Sequence, residues 1–187
     1  MIGMVARDVE LLTSRLLIRA PERADYTAWA EGRRQSRDYL EPWEPRWPAD
    51  ALSKEDWTRR LRAWRAGWRD DRAYVFLIFG REGGELLGGV SITNVRRGPA
   101  QMGSLGYWLL KGAAGHGYMS EGVERVCRWC SAELRLARIE AGTLVDNTRS
   151  QQVLERCRFL KEGQARAYLE IGGRRRDHIL YARVLED

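Results

Sequence analysis

The sequence has few cysteines and no long apolar stretch, and each shortage excludes a class of protein. Its three cysteines, Cys127, Cys130 and Cys157, are too few, and odd in number, for the disulfide framework of a small secreted domain. No run approaches the roughly eighteen apolar residues that a membrane-spanning helix needs. The first residues also lack the basic and apolar regions of a signal peptide. We therefore expect a cytoplasmic protein with no membrane partner.

Histidine is equally scarce, which argues against metal chemistry. His116 and His178 are the only two in the chain. Cys127 and Cys130 form a C-x-x-C pair, a spacing found in some metal and redox sites. However, both lie on the apolar side of a predicted helix. We interpret them as small core residues, and we predict no metal.

Lysine occurs only at positions 54, 111 and 161, so the net charge of +6 comes almost entirely from arginine. An excess of basic residues is compatible with an anionic ligand, a nucleic-acid-binding surface or simple solubility. Apart from Arg174–Arg176, the arginines are scattered along the chain and interleaved with Asp and Glu. Interleaved charge is typical of a solvated surface. Direct binding to nucleic acid is therefore not expected.

Strand and helix patterns alternate through residues 1–187 without a repeat, a low-complexity segment or a linker, which predicts a single α/β domain. Strands are predicted over residues 11–20, 73–79, 85–95, 101–110, 138–145, 159–171 and 175–185. Helices are predicted over residues 22–34, 37–40, from 53 to about 67, 118–134 and 148–157. A helix separates the strands at 101–110 and 138–145, so we expect them to be parallel neighbours in the sheet.

Residues 103–122 combine a strand, a glycine-containing loop and a helix. Residues 105–110 form a compact apolar and aromatic run typical of a strand. Gly112, Gly115 and Gly117 follow among small residues, and apolar residues then recur at helical spacing. Such a loop can present unpaired backbone N–H groups and the positive end of a helix dipole to a phosphate. We hypothesise that it binds the pyrophosphate of coenzyme A.

A second unusual segment, residues 41–48, contains three prolines and two tryptophans. Pro42, Pro45 and Pro48 exclude a regular helix or a central strand, so a stiff extended loop is expected. It can line a site, because it combines a fixed backbone with large contact surfaces. It can equally be a surface loop that Trp43 attaches to the core.

Several patches, in this order along the chain, resemble the GNAT (Gcn5-related N-acetyltransferase) superfamily, and within it the ribosomal-protein N-terminal acetyltransferases of the RimJ/RimL type. The similar segments are Thr13–Arg19, Tyr39–Pro45, Gly106–Leu109 with Gly115–Glu121, Asn147–Leu154, and Tyr168–Gly173 with Arg176–His178. The resemblance covers almost the whole chain.

Two positions depart from the pattern of that family. Gly112 stands where the family's glycine motif often begins with Gln or Arg, so one basic contact to the phosphate is either absent or supplied by Lys111 instead. Arg158 stands where the family usually has a glycine at a helix end. A left-handed conformation is expected there, at a cost of about 1 kcal/mol for arginine.

The resemblance implies a mixed, mostly antiparallel sheet of about seven strands with splayed central strands and about four flanking helices. It implies direct transfer of an acetyl group from acetyl-CoA to the N-terminal α-amine of a protein, such as a ribosomal protein, by a monomer or homodimer. Two alternatives stay open. The acceptor can be a small amine, such as an amino sugar, a polyamine or an antibiotic. The chain can also be a CoA-binding or ribosome-associated module without turnover.

The same resemblance, with the chemistry of acyl transfer, suggests roles for individual residues. Ser150 is the candidate general acid toward the thiolate. Glu44 is the preferred candidate base, and Glu170 is the second carboxylate, placed with Trp43 on the acceptor side. The Leu109 N–H is the candidate oxyanion donor. The residues expected to contact acetyl-CoA are Trp108, Leu109, Leu110, Ala114, Gly115, His116, Gly117, Tyr118, Met119 and Asn147.

Overall fold

A computed structural model describes residues 9–185, which form one eight-stranded sheet with helices on both faces. The strands are β1 (Glu10–Leu12), β2 (Leu16–Arg19), β3 (Tyr74–Gly80), β4 (Leu86–Arg96), β5 (Met102–Leu109), β6 (Arg138–Leu144), β7 (Leu160–Ile171) and β8 (Arg174–Val184). Their order across the sheet is β1-β2-β3-β4-β5-β6-β8-β7. The predicted mixed α/β architecture is therefore confirmed.

The α-helices are α1 (Tyr26–Gln35), α2 (Arg37–Leu40), α3 (Lys54–Arg69), α4 (Tyr118–Ala132) and α5 (Thr148–Arg156). Side-chain caps set where two of them begin. The Ser53 hydroxyl accepts a hydrogen bond from the Asp56 N–H (3.0 Å) at the start of α3, and Asn147 caps α5 in the same way. Both caps satisfy backbone donors that have no partner within the helix.

The sheet has eight strands where about seven were predicted. The expected strand at 11–20 is two strands, because the Thr13 hydroxyl accepts a hydrogen bond from the Leu16 N–H (2.8 Å) and turns the chain back on itself. Residues 37–40 form the short separate helix that the sequence predicted. The proline segment is also not extended throughout: Glu41–Trp43 form a 3-10 turn. Pro42 lies in the first turn of that helix, where its missing N–H matters least.

β5 and β6 are the parallel neighbours that the sequence predicted, and all other pairs are antiparallel. Their pairing covers only Met102–Leu105 against Arg138–Ala141. Beyond these residues the two strands diverge, so the sheet opens between them. This opening matches the splayed central strands that the family resemblance implied.

The core consists of two hydrophobic clusters, one on each face of the sheet, and alternate residues of β3 belong to one or the other. Phe76 and Ile78 pack in the cluster that contains α4, whereas Leu77 and Phe79 pack in the cluster that contains residues of α1 and α3. The sheet is therefore packed on both faces.

The cysteine pair of α4 is part of the first cluster. Cys127 and Cys130 are both fully buried, and burial raises the pKa of the Cys127 thiol to about 12. A neutral buried thiol is a poor metal ligand. No cluster of His, Cys, Asp and Glu that could hold a metal occurs within residues 9–185. Within the same residues, no helix is long and apolar enough to cross a membrane.

Arg158, just after α5, has a left-handed backbone with a φ of 61°. The sequence predicted this conformation from the position of Arg158 at a helix end. An L-residue there is strained relative to glycine.

Candidate active site

The first element of the site is the open edge of β5. The Leu110 N–H donates to the Leu87 carbonyl of β4 (2.9 Å). Because peptide groups alternate sides along a strand, the N–H and C=O of Leu109 point the other way, into the opening beside β6. The expected oxyanion donor thus faces a gap rather than a neighbouring strand.

The second element is the glycine loop between β5 and α4. Residues Lys111–Ala113 form a 3-10 turn, and the N–H groups of Ala113 and Ala114 bond to carbonyls within it. Gly115 and Gly117 have φ values of 85° and 79°, which only glycine adopts readily. No side chain caps the start of α4. The available donors therefore begin at Gly115 and extend into α4, slightly later than the predicted 113–118.

The first hairpin holds this loop in place. Arg15 donates from Nε to Glu121 Oε2 (2.7 Å) and from Nη1 to the His116 carbonyl (3.0 Å). Its guanidinium also lies over the Tyr118 ring, 4.7 Å from the centroid. Burial alone would raise the pKa of Glu121, but hydrogen bonds from Thr13 and Arg15 outweigh it, and the pKa lies below its ordinary value. The carboxylate therefore stays charged and keeps the loop anchored.

The third element is a cleft of about 130 Å³ that brings predicted residues from distant parts of the chain together. Its lining includes both predicted catalytic residues and several predicted cofactor contacts. The lining residues are Tyr39, Leu40, Trp43, Glu44, Tyr107, Trp108, Leu109, Met119, Asn147, Arg149, Ser150 and Val153. The proline segment therefore lines a cavity. This favours its interpretation as a loop that lines a site over its interpretation as a surface loop.

Ser150 lies in the first turn of α5, but its hydroxyl does not cap the helix. Asn147 Oδ1 accepts from the Ser150 N–H (3.1 Å) and so makes the cap. The Ser150 hydroxyl instead pairs with the Tyr107 hydroxyl of β5 (Oγ to OH, 2.8 Å), and the Tyr107 hydroxyl also lies 3.0 Å from the Ser150 carbonyl. Burial raises the pKa of Tyr107, which stays a neutral donor. The sequence had suggested no role for Tyr107.

Glu44 is held by two donors on the same oxygen. Arg33 forms an ion pair with Oε2, and Trp47 Nε1 donates to Oε2 (2.8 Å). No donor contacts Oε1 among the residues that the structure describes. The Arg33 guanidinium lies 4.6 Å from the Trp47 centroid and 4.8 Å from the Trp108 centroid, a cation–π arrangement that fixes it. Glu44 therefore has one anchored oxygen and one oxygen without a protein donor.

Four predicted contacts line neither this cleft nor the larger cavity along the glycine loop: Leu110, His116, Tyr118 and Glu170. Glu170 is exposed on β7 opposite Arg175 and is not part of the lining. Leu110 packs against the second cluster, and the His116 ring stacks on Tyr118 (5.6 Å between centroids) away from the opening. The hairpin that carries Glu170 still reaches the site, because the Gly172 N–H donates to the Glu44 carbonyl (3.1 Å).

A second cavity, of about 590 Å³, continues the cleft along the glycine loop. Ala114, Gly115, Gly117 and Met119 line it from the loop side. Lys111, Arg149 and Arg156 line it as well, so cationic side chains surround the uncapped start of α4. Arg149 and Arg156 were not predicted, although their spacing places them on one face of a short helix. The two cavities form one groove.

Comparisons with known proteins agree with this geometry. A model of the acetyltransferase (GNAT) domain family matches residues 15–160. The ribosomal protein uS5-alanine N-acetyltransferase of Escherichia coli (strain K12) is 32% identical over 179 residues, which cover 96% of this chain and 92% of that protein.

Solved structures give the same result. The ribosomal-protein-S5-alanine acetyltransferase from Vibrio fischeri has a TM-score of 0.89 at 30% identity, covering 96% of this chain and 98% of that one. Mycobacterium smegmatis RimJ, solved in complex with CoA-disulfide, has a TM-score of 0.86 at 31% identity, covering 90% of this chain and 81% of that one.

Proposed function

The chain belongs to the GNAT acetyltransferase family, and on this basis we propose that it transfers an acetyl group from acetyl-CoA to the N-terminal α-amine of a ribosomal protein. The observation that carries the proposal is one groove that joins a glycine loop before an uncapped helix, an open strand edge, a paired serine hydroxyl and a carboxylate. Each of these serves one requirement of acyl transfer to an amine.

The residues of the groove fit acetyl-CoA, which supplies a thioester-activated acetyl group when bound. The uncapped N–H groups at the start of α4, with Gly115 and Gly117, suit the pyrophosphate. Lys111 and Arg149 line the same cavity and add positive charge. The free peptide groups of Leu109 suit a chain of amides that runs along the strand edge, in the manner of an added strand.

Proton removal from the acceptor is assigned to Glu44. An N-terminal α-amine titrates near ~8, against ~10.4 for lysine, so a modest base suffices at neutral pH. Arg33 and Trp47 anchor Oε2 of Glu44, and Glu44 lines the cleft, so we assign Oε1 as the oxygen that accepts the proton. It accepts the amine proton directly or through one water.

We assign protonation of the departing thiolate to Ser150 and Tyr107. The Leu109 N–H donates to the acetyl oxygen as negative charge develops on it. The Ser150 hydroxyl gives its proton to the departing sulfur and takes up the proton of the Tyr107 hydroxyl at 2.8 Å. Because burial raises the pKa of Tyr107, it regains a proton from solvent when the products leave. Tyr107 thus orients the Ser150 hydroxyl and supplies it with a proton.

The acceptor side is formed by Trp43, Glu44 and the tip of the β7–β8 hairpin, where Gly172 bonds to Glu44. The relatives at 30–32% identity are named for alanine at the N-terminus of ribosomal protein uS5 or S5. We extend that acceptor class to this chain, acting in the cytoplasm.

A peptide panel tests the proposal. Purified enzyme is incubated with acetyl-CoA and peptides that begin with Ala, Ser or Gly, matched N-terminally blocked peptides, and small amines such as spermidine and amino sugars. Thiol release and mass spectrometry should report one acetyl group on the free α-amine of a peptide. Acetylation of small amines alone would overturn the protein-acceptor assignment. Binding of acetyl-CoA without thiol release with any amine would overturn catalysis.

A further inference from the structure

The Arg174–Arg176 run is the longest run of like charge in the sequence, and the proposed function gives it no role. It begins β8, directly after the Gly172–Gly173 turn of the β7–β8 hairpin. The Gly172 N–H donates to the Glu44 carbonyl (3.1 Å), so the turn lies against the segment that carries the proposed base. The first arginine of the run therefore lies on the acceptor side of the cleft.

A second arginine approaches the same turn from the proline segment. A Cβ atom added at Gly173 would lie 4.0 Å from the Cδ atom of Arg46, so the Arg46 side chain lies against the hairpin. Arg46 follows Glu44 by two residues, and Arg174 follows Gly172 by two residues. Each of the two segments that meet at the Glu44 carbonyl therefore carries an arginine next to that contact.

The charge of this arginine pair, Arg46 and Arg174, is not neutralised. Both residues are exposed, and neither has an ion-pair partner among the residues that the structure describes. Three carboxylates near them already have other partners. These pairs are Glu44 with Arg33, Glu41 with Arg37 (3.0 Å) and Asp146 with Arg176 (3.1 Å). A fourth, Glu170, lies opposite Arg175 in the β7–β8 register. The acceptor side therefore has an excess of positive charge.

An acceptor whose α-amine contacts Glu44 places its next residues close to the arginine pair. Two residues of backbone span at most about 7 Å, so each arginine is a short distance from the Glu44 contact. An extended acceptor rises about 3.3 Å per residue. Its third to fifth residues therefore lie within reach of the two long guanidinium side chains.

A polynucleotide fits the arginine pair less well than an acidic peptide does. Binding of a phosphate backbone depends on many cationic contacts along the strand, whereas the carboxylates of Asp146 and Glu170 interrupt the positive charge here. Two guanidinium groups on separate segments instead match a few carboxylates that are spaced along one extended chain. The position and number of the charges thus favour an acidic acceptor segment.

Resting on the proposed function, we propose that Arg46 and Arg174 select acceptor proteins that carry Asp or Glu at about the third to fifth residue. Each guanidinium forms an ion pair with one acceptor carboxylate. The arginine pair binds the acceptor away from the reacting atoms. It therefore lowers the KM for the acceptor and leaves kcat unchanged.

Steady-state kinetics with three peptides test this inference. All three begin with Ala and differ only at the third to fifth residues, which are all Glu, all Gln or all Lys. Two exposed ion pairs predict a KM about fivefold lower for the Glu peptide than for the Gln peptide, at equal kcat. The Lys peptide should have the highest KM. The advantage of the Glu peptide should shrink in about 0.5 M salt, because salt screens exposed charges.

Variants of the arginine pair locate the effect. Arg46→Gln and Arg174→Gln should each raise the KM of the Glu peptide about two- to threefold and leave the KM of the Gln peptide unchanged. Arg174→Glu should lower the KM of the Lys peptide, a gain that misfolding cannot produce. Arg65→Gln, which removes an exposed arginine of α3, is the matched control and should change no KM.

Equal KM values for the three peptides with the wild-type enzyme would overturn the inference and leave the proposed acetyl transfer intact. A preference for Glu that persists in both arginine variants would overturn it too, because another surface would then recognise the charge. Weaker binding of single-stranded RNA by the two variants, with every peptide KM unchanged, would assign the arginine pair to nucleic acid instead. Absence of acetylation of every peptide would remove both this inference and the proposed function.

Discussion

Removing the Ser150 hydroxyl is the sharpest perturbation of the proposed chemistry, because the structure separates its chemical role from its structural one. The helix cap uses the Ser150 backbone N–H and the Asn147 side chain, and Ser150→Ala keeps both. Alanine is also the better helix former. The variant should therefore fold with wild-type stability, and any loss of rate reports on the hydroxyl.

The expected loss of rate in each variant follows from the contacts that the variant removes. A positioned general acid contributes about 10²–10⁴ in rate, and we expect Ser150→Ala to lower kcat by about 10² or more. Tyr107→Phe removes only the partner hydroxyl at 2.8 Å, so kcat should fall by about tenfold, the loss expected for one neutral hydrogen bond. Because Tyr107 acts through Ser150, the double variant should be no slower than Ser150→Ala alone.

Steady-state kinetics with acetyl-CoA and the best peptide measure kcat and the acetyl-CoA KM, and calorimetry measures coenzyme affinity separately. The acetyl-CoA KM should change less than about threefold in all three variants, since only the transition state needs the proton. If only KM rises, Ser150 is a binding residue. If the two single effects multiply in the double variant, Tyr107 and Ser150 act independently and the proposed relay is wrong.

Four further outcomes follow from the structure. Gly117→Val should abolish coenzyme A binding in calorimetry, because a β-branched residue resists the φ of 79°; unchanged affinity would refute the loop assignment. Arg158→Gly should raise stability by about 1 kcal/mol and the melting temperature by about 2–4 °C, and no shift would mean that the left-handed backbone is unstrained. Glu44→Gln should lower kcat far more than Glu170→Gln, and the reverse order would reassign the base. The Arg183 hydrogen bond holds the pKa of Glu124 below its ordinary value, so its contribution to stability is present above the unfolded pKa and lost on acidification. Wild-type unfolding should therefore depend on pH more steeply than that of Glu124→Gln between about pH 5 and pH 3.

The sequence predicted the elements that depend on local pattern. The helical spacing of apolar residues in α3 and α4, and the position of Arg158 at a helix end, are properties of short segments, and the structure agrees with them. The split of residues 11–20 into two strands was missed, because the run contains no glycine or proline and its turn depends on the Thr13 hydroxyl.

The missed site residues depend on long-range contacts. Arg15 reaches Glu121 across more than a hundred residues, and Tyr107 meets Ser150 only because β5 and β6 diverge. Arg33 is the clearest case. Its place between two tryptophan rings and Glu44 follows from how α1 and the proline segment pack, which spacing along the chain does not reveal.

The most direct test of the central claim is mass spectrometry of intact ribosomal proteins from cells that contain this enzyme and from cells that lack it. We predict that one ribosomal protein carries an N-terminal acetyl group in cells that contain the enzyme and lacks this group, and its mass, in cells that do not. We also predict that the Ser150→Ala variant fails to restore this group, whereas the wild-type enzyme does. Identical N-termini in the two strains, with purified enzyme inactive on the corresponding peptides, would contradict the account.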